Sequence, residues 1–363
     1  MERGSWRLYP NDFTVLVGRP GLGKGSAINP LHNILRRANT ANILSDKLTI
    51  EWILEQLSKG FPHSGVGPGG GVTFGQDTSC VFFAPELAVF LRYPETELPD
   101  LADLWDARQG VQMYGTRGKG LFKIDSPTPS MLGGCAPEWL VHAVPSNAIG
   151  GGFTRRVNFV YDSGANHKRM PWPDKADFEA NTEPLVQDLR QISKTAGEYR
   201  FDNLAKPIFE QVYCDSDPNQ HHDEATANYI VSRWAHVAKI GMALAASRRE
   251  DRVLLKADLE EVLDEIHGVT EGLKIVFRSV GESDLTTVAD KVIQYLEKVP
   301  GATYKQILNI LWKDVTRDDL QVVLCTLRDG DVIEERSIGG NLCYAVLPVS
   351  TPKPKVRVAI PIN

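Results

Sequence analysis

The stretch VLVGRPGLGKGSAI, starting at Val15, carries the residue types most able to do chemistry. Gly18, Pro20, Gly21, Gly23 and Lys24 fit a glycine-rich loop whose backbone N–H groups cradle phosphates while a lysine reaches the β- and γ-phosphates. An apolar strand precedes the loop and a helical stretch follows it, so a helix N-terminus also faces the anion. The pattern asks for Ser or Thr after the lysine to touch Mg2+. Gly25 stands there, and Ser26, one residue late, is the candidate metal ligand. A strand-to-helix turn that needs glycine only for positive φ is the alternative.

A hydrolase of this type also carries an apolar strand ending in Asp-Glu, where Asp orders the magnesium shell and Glu activates water. CVFFAPEL supplies the strand and Glu86 as the candidate general base, with Pro85 in the Asp position. Both usual protein contacts to magnesium are therefore altered, although Mg2+ binds largely through water and phosphate oxygens. Asp77 is a second candidate to compensate. In GGGFTRRVNFVY, Arg155 and Arg156 stand just before a strong strand, where a ring ATPase places the arginine that stabilises a neighbour's γ-phosphate. Arg117 and Lys119 in YGTRGKG are candidate pore charges for nucleic acid, and Arg233 is a weaker one. His221-His222 lack helical ligand spacing and read as a polar loop.

These residues need a scaffold. The region 1–173 alternates short strands with helical stretches, which predicts an α/β nucleotide-binding core. LTIEWILEQLSKG predicts a helix capped by Thr49 with Ile50, Ile53, Leu54 and Leu57 on one face. Pro30 is expected to interrupt the helix after the loop, and HSGVGPGGGVTFGQ is expected to be a loop. Region 174–285 is helical and reads as a lid. Region 286–347 reads as three helices and a β-hairpin, a winged-helix pattern, and 348–363 as an extended tail.

The chain has 363 residues, five scattered cysteines and a net charge of −6. That composition suggests reduced cytosolic thiols and offers no broad electrostatic footprint for nucleic acid. No run is apolar enough to span a membrane. The expected location is the cytoplasm, that of a bacterial host if the protein is phage-encoded.

Taken together, YPNDFTVLVGRPGLGKGSAI, FFAPELAVFL, LADLWD, LGGCAPEWL, GGGFTRRVNFVYD and SRWAHVAKIGMALA resemble a phage and prophage family of P-loop proteins associated with primase-helicase modules. The resemblance covers nearly the whole chain. It implies a RecA/AAA+-like P-loop NTPase core with helical lid and winged helix, using ATP and Mg2+ as a homo-oligomer in DNA replication. Carried over, the loop holds phosphate, Glu86 is the base and Arg156 is the finger. Only 17 residues precede Gly18, which leaves no room there for a primase domain. The expectation is one half of a split system, or a fragment.

Three functions fit: a ring-forming, helicase-like motor on single-stranded DNA, a nucleotide-gated adaptor or helicase loader, or a packaging or initiator ATPase. The winged-helix region holds seven basic and nine acidic residues, a net of −2. Asp318 and Asp319 open its third helix, which favours docking a replication protein at least as much as DNA.

Overall fold

FTVLV forms strand β1 (Phe13–Val17), with Phe13, Val15 and Val17 buried and the residues between them half-buried. Both flanks of β1 are paired, so it lies inside the sheet. Three further strands, β2 (Ser79–Ala84), β3 (Thr128–Cys135) and β4 (Val157–Tyr161), are parallel to it in the order β4-β1-β3-β2. The register aligns Val157 with Phe13, Phe13 with Met131, and Ala84 with Gly133. Ile43 adds a parallel bridge to Val81 on the outer flank of β2, a rudimentary fifth strand. Connections of this length between parallel strands place helices over the sheet faces, the α/β layering expected from the sequence.

This computed structural model describes residues 2–3, 6–44, 48–66, 72–116, 118–144, 152–162, 175–195, 197–217, 224–277, 284–312, 315–338 and 341–347. The chain divides into two compact units, Met1–Val280 and Gly281–Asn363.

Helix α1 (Lys24–Ala38) follows β1 directly. Pro30 does not interrupt it, contrary to the sequence reading. A proline removes one i→i−4 bond, here to the Ser26 carbonyl, and the remaining turns hold the helix together. Helix α2 (Ile50–Lys59) buries Ile50, Ile53, Leu54 and Leu57, and the Thr49 side chain accepts the Trp52 N–H at 3.3 Å. Both features follow from periodicity and cap chemistry. The glycine-rich stretch after α2 is not simply a loop. Phe61–Val66 pairs antiparallel with Val72–Asp77, and residues 67–71 lie outside the described residues. A second hairpin, Val111–Thr116 with Gly120–Asp125, follows helix α3 (Pro94–Asp106).

The helices after the sheet belong to the first unit. Helix α4 (Glu224–Arg248) lays Tyr229, Ala235, His236, Val237, Ala238 and Lys239 into the interior, and α5 (Lys256–Val276) packs beside it against β4. Phe13, Phe82, Phe159, Leu104 and Leu273 belong to the shared core.

In the second unit, Asp284–Lys298, Tyr304–Leu311 and Arg317–Asp329 are helices, and Ala302–Thr303, Asn341–Val346 and Ile333–Ile338 form a three-stranded antiparallel sheet with the middle segment central. Val292, Leu296, Ile307, Leu320 and Ile333 are buried together. The tail 348–363 and His221-His222 lie outside the described residues.

Candidate nucleotide-binding site

The glycine-rich loop 18–23 leaves the carboxyl end of β1, where parallel α/β sheets bind their ligands. Gly21 and Gly23 sit at φ 86° and 83°, which a Cβ makes costly, so these two positions demand glycine. Gly23 is the N-cap of α1 and has no side-chain cap, which leaves the first-turn N–H groups open to an anion. Lys24 opens the helix. Its ammonium donates to the carbonyls of Gly18 at 2.6 Å and Arg19 at 3.2 Å, folded back over the loop.

The loop is anchored from β3: the Gly18 N–H donates to the Cys135 carbonyl at 3.2 Å. Cys135 itself does not stand out in the sequence. It ends β3 with its thiol buried, donating to the Ala136 carbonyl at 3.1 Å. Burial first, then the charges of Glu86 and Glu138 opposed by Lys24, push this thiol up to about 12. The charges of Lys24 and Glu86 thus both reach this thiol, with opposite effect. The strand β3 separates β1 from β2, so the ends that carry Lys24 and Glu86 stand roughly 10 Å apart, two strand spacings.

Two glycines on β3 make this possible. A Cβ on Gly134 would lie 2.6 Å from the Pro85 carbonyl oxygen, and one on Gly133 would lie 3.2 Å from that of Ala84. The chain after β2 thus turns in over β3. Glu86 follows, exposed, as N-cap of the short helix Leu87–Phe90. Pro85 contributes only this carbonyl where a carboxylate was sought. Gly25 lies in the first turn with open space where a Cβ would stand, and Ser26 is exposed one residue on. A serine hydroxyl and a carboxylate are the hard oxygen donors that suit Mg2+ carried in on phosphates.

Asp77 is ruled out as a substitute ligand. It stands at the opposite, amino-terminal edge, where it accepts from the Ser79 N–H at 2.8 Å, the Ser79 hydroxyl at 2.7 Å and Asn42 at 3.1 Å.

Arg155 and Arg156 occupy the same amino-terminal edge, in a 3-10 turn (Thr154–Arg156) before β4. The length of β1 puts them roughly 15 Å or more from their own phosphate loop. Arg156 is committed to Asp106 and also donates to the Gly152 carbonyl at 2.8 Å. Arg155 is half-buried, and burial followed by the neighbouring Arg156 charge lowers its pKa. Its carbonyl meets His236 Nε2 at 2.9 Å.

Behind the pair runs a buried polar network that sequence reading missed. Asp12 Oδ2 accepts from Asn158 at 2.8 Å, and Tyr229 donates to Asn158 at 2.6 Å. Lys239 Nζ donates to Asn11 Oδ1 at 2.6 Å, the Asn11 carbonyl at 2.9 Å and the Trp105 carbonyl at 3.3 Å. Arg233 is half-buried on α4, and its charge is felt by the Tyr229 phenol. YPNDF, LADLWD, GGGFTRRVNFVYD and SRWAHVAKIGMALA carry most of its members, but nothing in the sequence shows that they meet.

Of the two candidate nucleic-acid residues, Arg117 lies outside the described residues. Lys119 is at the turn of the second hairpin and pairs with Glu55 of α2. Hydrogen bonds from Lys119 and Lys59 hold the Glu55 carboxyl down at about 2.

No family model matches the sequence, and no curated protein matches it. One solved structure that it is similar to is a full-length MCM homolog from Methanopyrus kandleri, at 10% identity and a TM-score of 0.38, covering 72% of this chain and 51% of that one. The chain thus spans about half the length of that neighbour. Among the described residues no helix is long and apolar enough to cross a membrane, and no group of three or more His, Cys, Asp or Glu could hold a metal ion.

Proposed function

We propose that the chain is a P-loop ATPase and works as a ring-forming, helicase-like motor on single-stranded DNA in replication. The carrying observation is the placement of Lys24 and Glu86 at the carboxyl ends of β1 and β2 with β3 between them. The roughly 10 Å gap across one inserted strand is room for a terminal phosphoryl group with an attacking water beyond it.

In this reading the loop N–H groups and the α1 N-terminus hold the β- and γ-phosphates, and Lys24 exchanges the Gly18 and Arg19 carbonyls for phosphate oxygens. Glu86 takes a proton from the water as its oxygen bonds to the γ-phosphorus and the bond to the β-bridging oxygen breaks, releasing ADP and phosphate. Ser26 is the residue that would hold Mg2+, which would supply neutralisation of the phosphate charge.

The arginines act on a neighbour. They sit at the edge opposite their own loop, as a subunit that completes the next subunit's site requires. Because Arg156 is bound to Asp106, we assign Arg155 as the finger and Arg156 as the residue that positions its turn. Lys119 of the second hairpin, together with Arg117, is assigned to single-stranded DNA in the ring pore. Neutralising both is expected to lower single-strand affinity, and unchanged affinity would remove that assignment.

The second unit reads as a winged helix that docks a replication protein. Asp319 of its third helix serves the cap, with Thr316 accepting the Asp319 N–H at 3.3 Å, and Trp312 and Ile310 are exposed. The second functional reading, a nucleotide-gated adaptor or loader without turnover, is favoured by Gly25 and Pro85, which remove both usual protein contacts to Mg2+. ATP turnover in the presence and absence of single-stranded DNA separates the two.

A further inference from the structure

Across the sheet from the phosphate loop lies a cavity of about 490 Å3. Arg7, Arg108, Arg155, Arg156 and Lys239 line it, with Asp106 as the acidic side chain among its walls. In an otherwise acidic chain this is a local excess of positive charge.

The cations are set in rigid structure. Lys239 is 1% exposed and has three acceptors for its three protons. Arg156 is fixed by both Asp106 oxygens and the Gly152 carbonyl. Arg155 differs: its Nε is buried and meets no acceptor among the described residues. A buried donor without a partner calls for an explanation such as a missing ion or ligand. Asp106 is taken by Arg156 and Asp103 by Arg108, which leaves Arg155 as the cavity arginine with a buried donor to satisfy. A phosphoryl group carries up to two charges and three acceptor oxygens, and it matches the guanidinium fork.

We propose that this cavity binds a phosphate-bearing small molecule in the free chain, at a site separate from the phosphate loop. The site does not depend on nucleotide at Lys24. A ligand here would occupy Arg155 and so compete with its reach toward a neighbour.

The test uses the full-length Lys24→Ala chain, whose phosphate loop has lost its lysine, titrated with pyrophosphate in a calorimeter. Saturable binding at one site per chain is expected. Adding Arg155→Ala should weaken it at least tenfold. Gln109→Glu, which puts a negative charge on the exposed rim of the same cavity, should do the same without touching the interior. Circular dichroism and melting temperature of the Gln109→Glu chain should stay those of its parent. No saturable binding in the Lys24→Ala chain, or binding indifferent to both added changes, overturns the proposal. So does binding that appears only when nucleotide-loaded wild-type chain is mixed in, because the phosphate then belongs to a neighbour. A failed phosphate-loop reading shows separately, as ATP binding that survives Lys24→Ala combined with Arg155→Ala, in which the cavity is disabled as well.

Discussion

Arg156 grips Asp106 with two arms, Nε to Oδ1 and Nη2 to Oδ2, both at 2.7 Å. The arginine side chain is 11% exposed and the aspartate 30%, so the pair joins the end of α3 to the turn before β4 with little solvent screening. Removing one partner leaves the other charge half-buried and alone. Asp106→Asn is expected to cost about 2–3 kcal/mol in urea unfolding, and Arg156→Lys nearly as much, because an ammonium cannot make the two-armed contact. A loss under about 0.5 kcal/mol in both, the range of an ordinary surface change, would mean that Arg156 is free to act elsewhere.

The trans role proposed for Arg155 predicts complementation. Lys24→Ala and Arg155→Ala should each abolish turnover alone. Mixed in equal amounts they should regain part of it, since mixed rings contain interfaces with an intact loop facing an intact arginine. Mixtures as inactive as the separate variants would argue against an intersubunit site.

Gly25 offers a gain-of-function test. The space around it is open and the backbone is helical, so Gly25→Ser fits without strain. It should stabilise the chain by a few tenths to about 1 kcal/mol through helix propensity. It should also lower the Mg2+ concentration needed for half-maximal turnover by supplying a hydroxyl beside the phosphates. An unchanged magnesium requirement would mean that the metal is not contacted from this position.

Lys239 gives a pH signature. Burial lowers its pKa from 10.5 to about 7, against the pull of Asp12 and Asp106. The unfolded chain keeps this proton up to its ordinary pKa while the folded chain releases it near 7, so the unfolded state binds more protons between the two values. Stability from this group should therefore rise with pH above that point, by at most about 1.4 kcal/mol per pH unit. Urea unfolding at about pH 6.5 and about pH 8.5, either side of the folded value, checks it, and Lys239→Met should flatten the difference. An equal slope in the variant would assign the dependence to other groups.

Much of the fold was legible because it rests on local signals. FTVLV is a compact apolar run, and Ile50, Ile53, Leu54 and Leu57 repeat at helical spacing behind a Thr cap. The loop was legible for the same reason, since positive φ at Gly21 and Gly23 is a demand on residue type. Long-range partners were not legible. Asp106 meets Arg156 across 50 positions, and Lys239 meets Asn11 across 228. The role of Cys135 is carried by its carbonyl, which any residue possesses. The hairpin at 61–77 was hidden because glycine content reads as an absence of pairing, when its strands flank the glycines.

The central claim is that Lys24 and Glu86 share one ATP. The most direct measurement is magnesium-dependent ATP binding and turnover of the wild type beside Lys24→Ala and Glu86→Gln, each with and without single-stranded DNA. The account predicts turnover in the wild type that DNA stimulates. It predicts lost binding in Lys24→Ala, and retained binding with turnover reduced at least about 100-fold in Glu86→Gln. ATP binding indifferent to Lys24→Ala, or full turnover in Glu86→Gln, would contradict it.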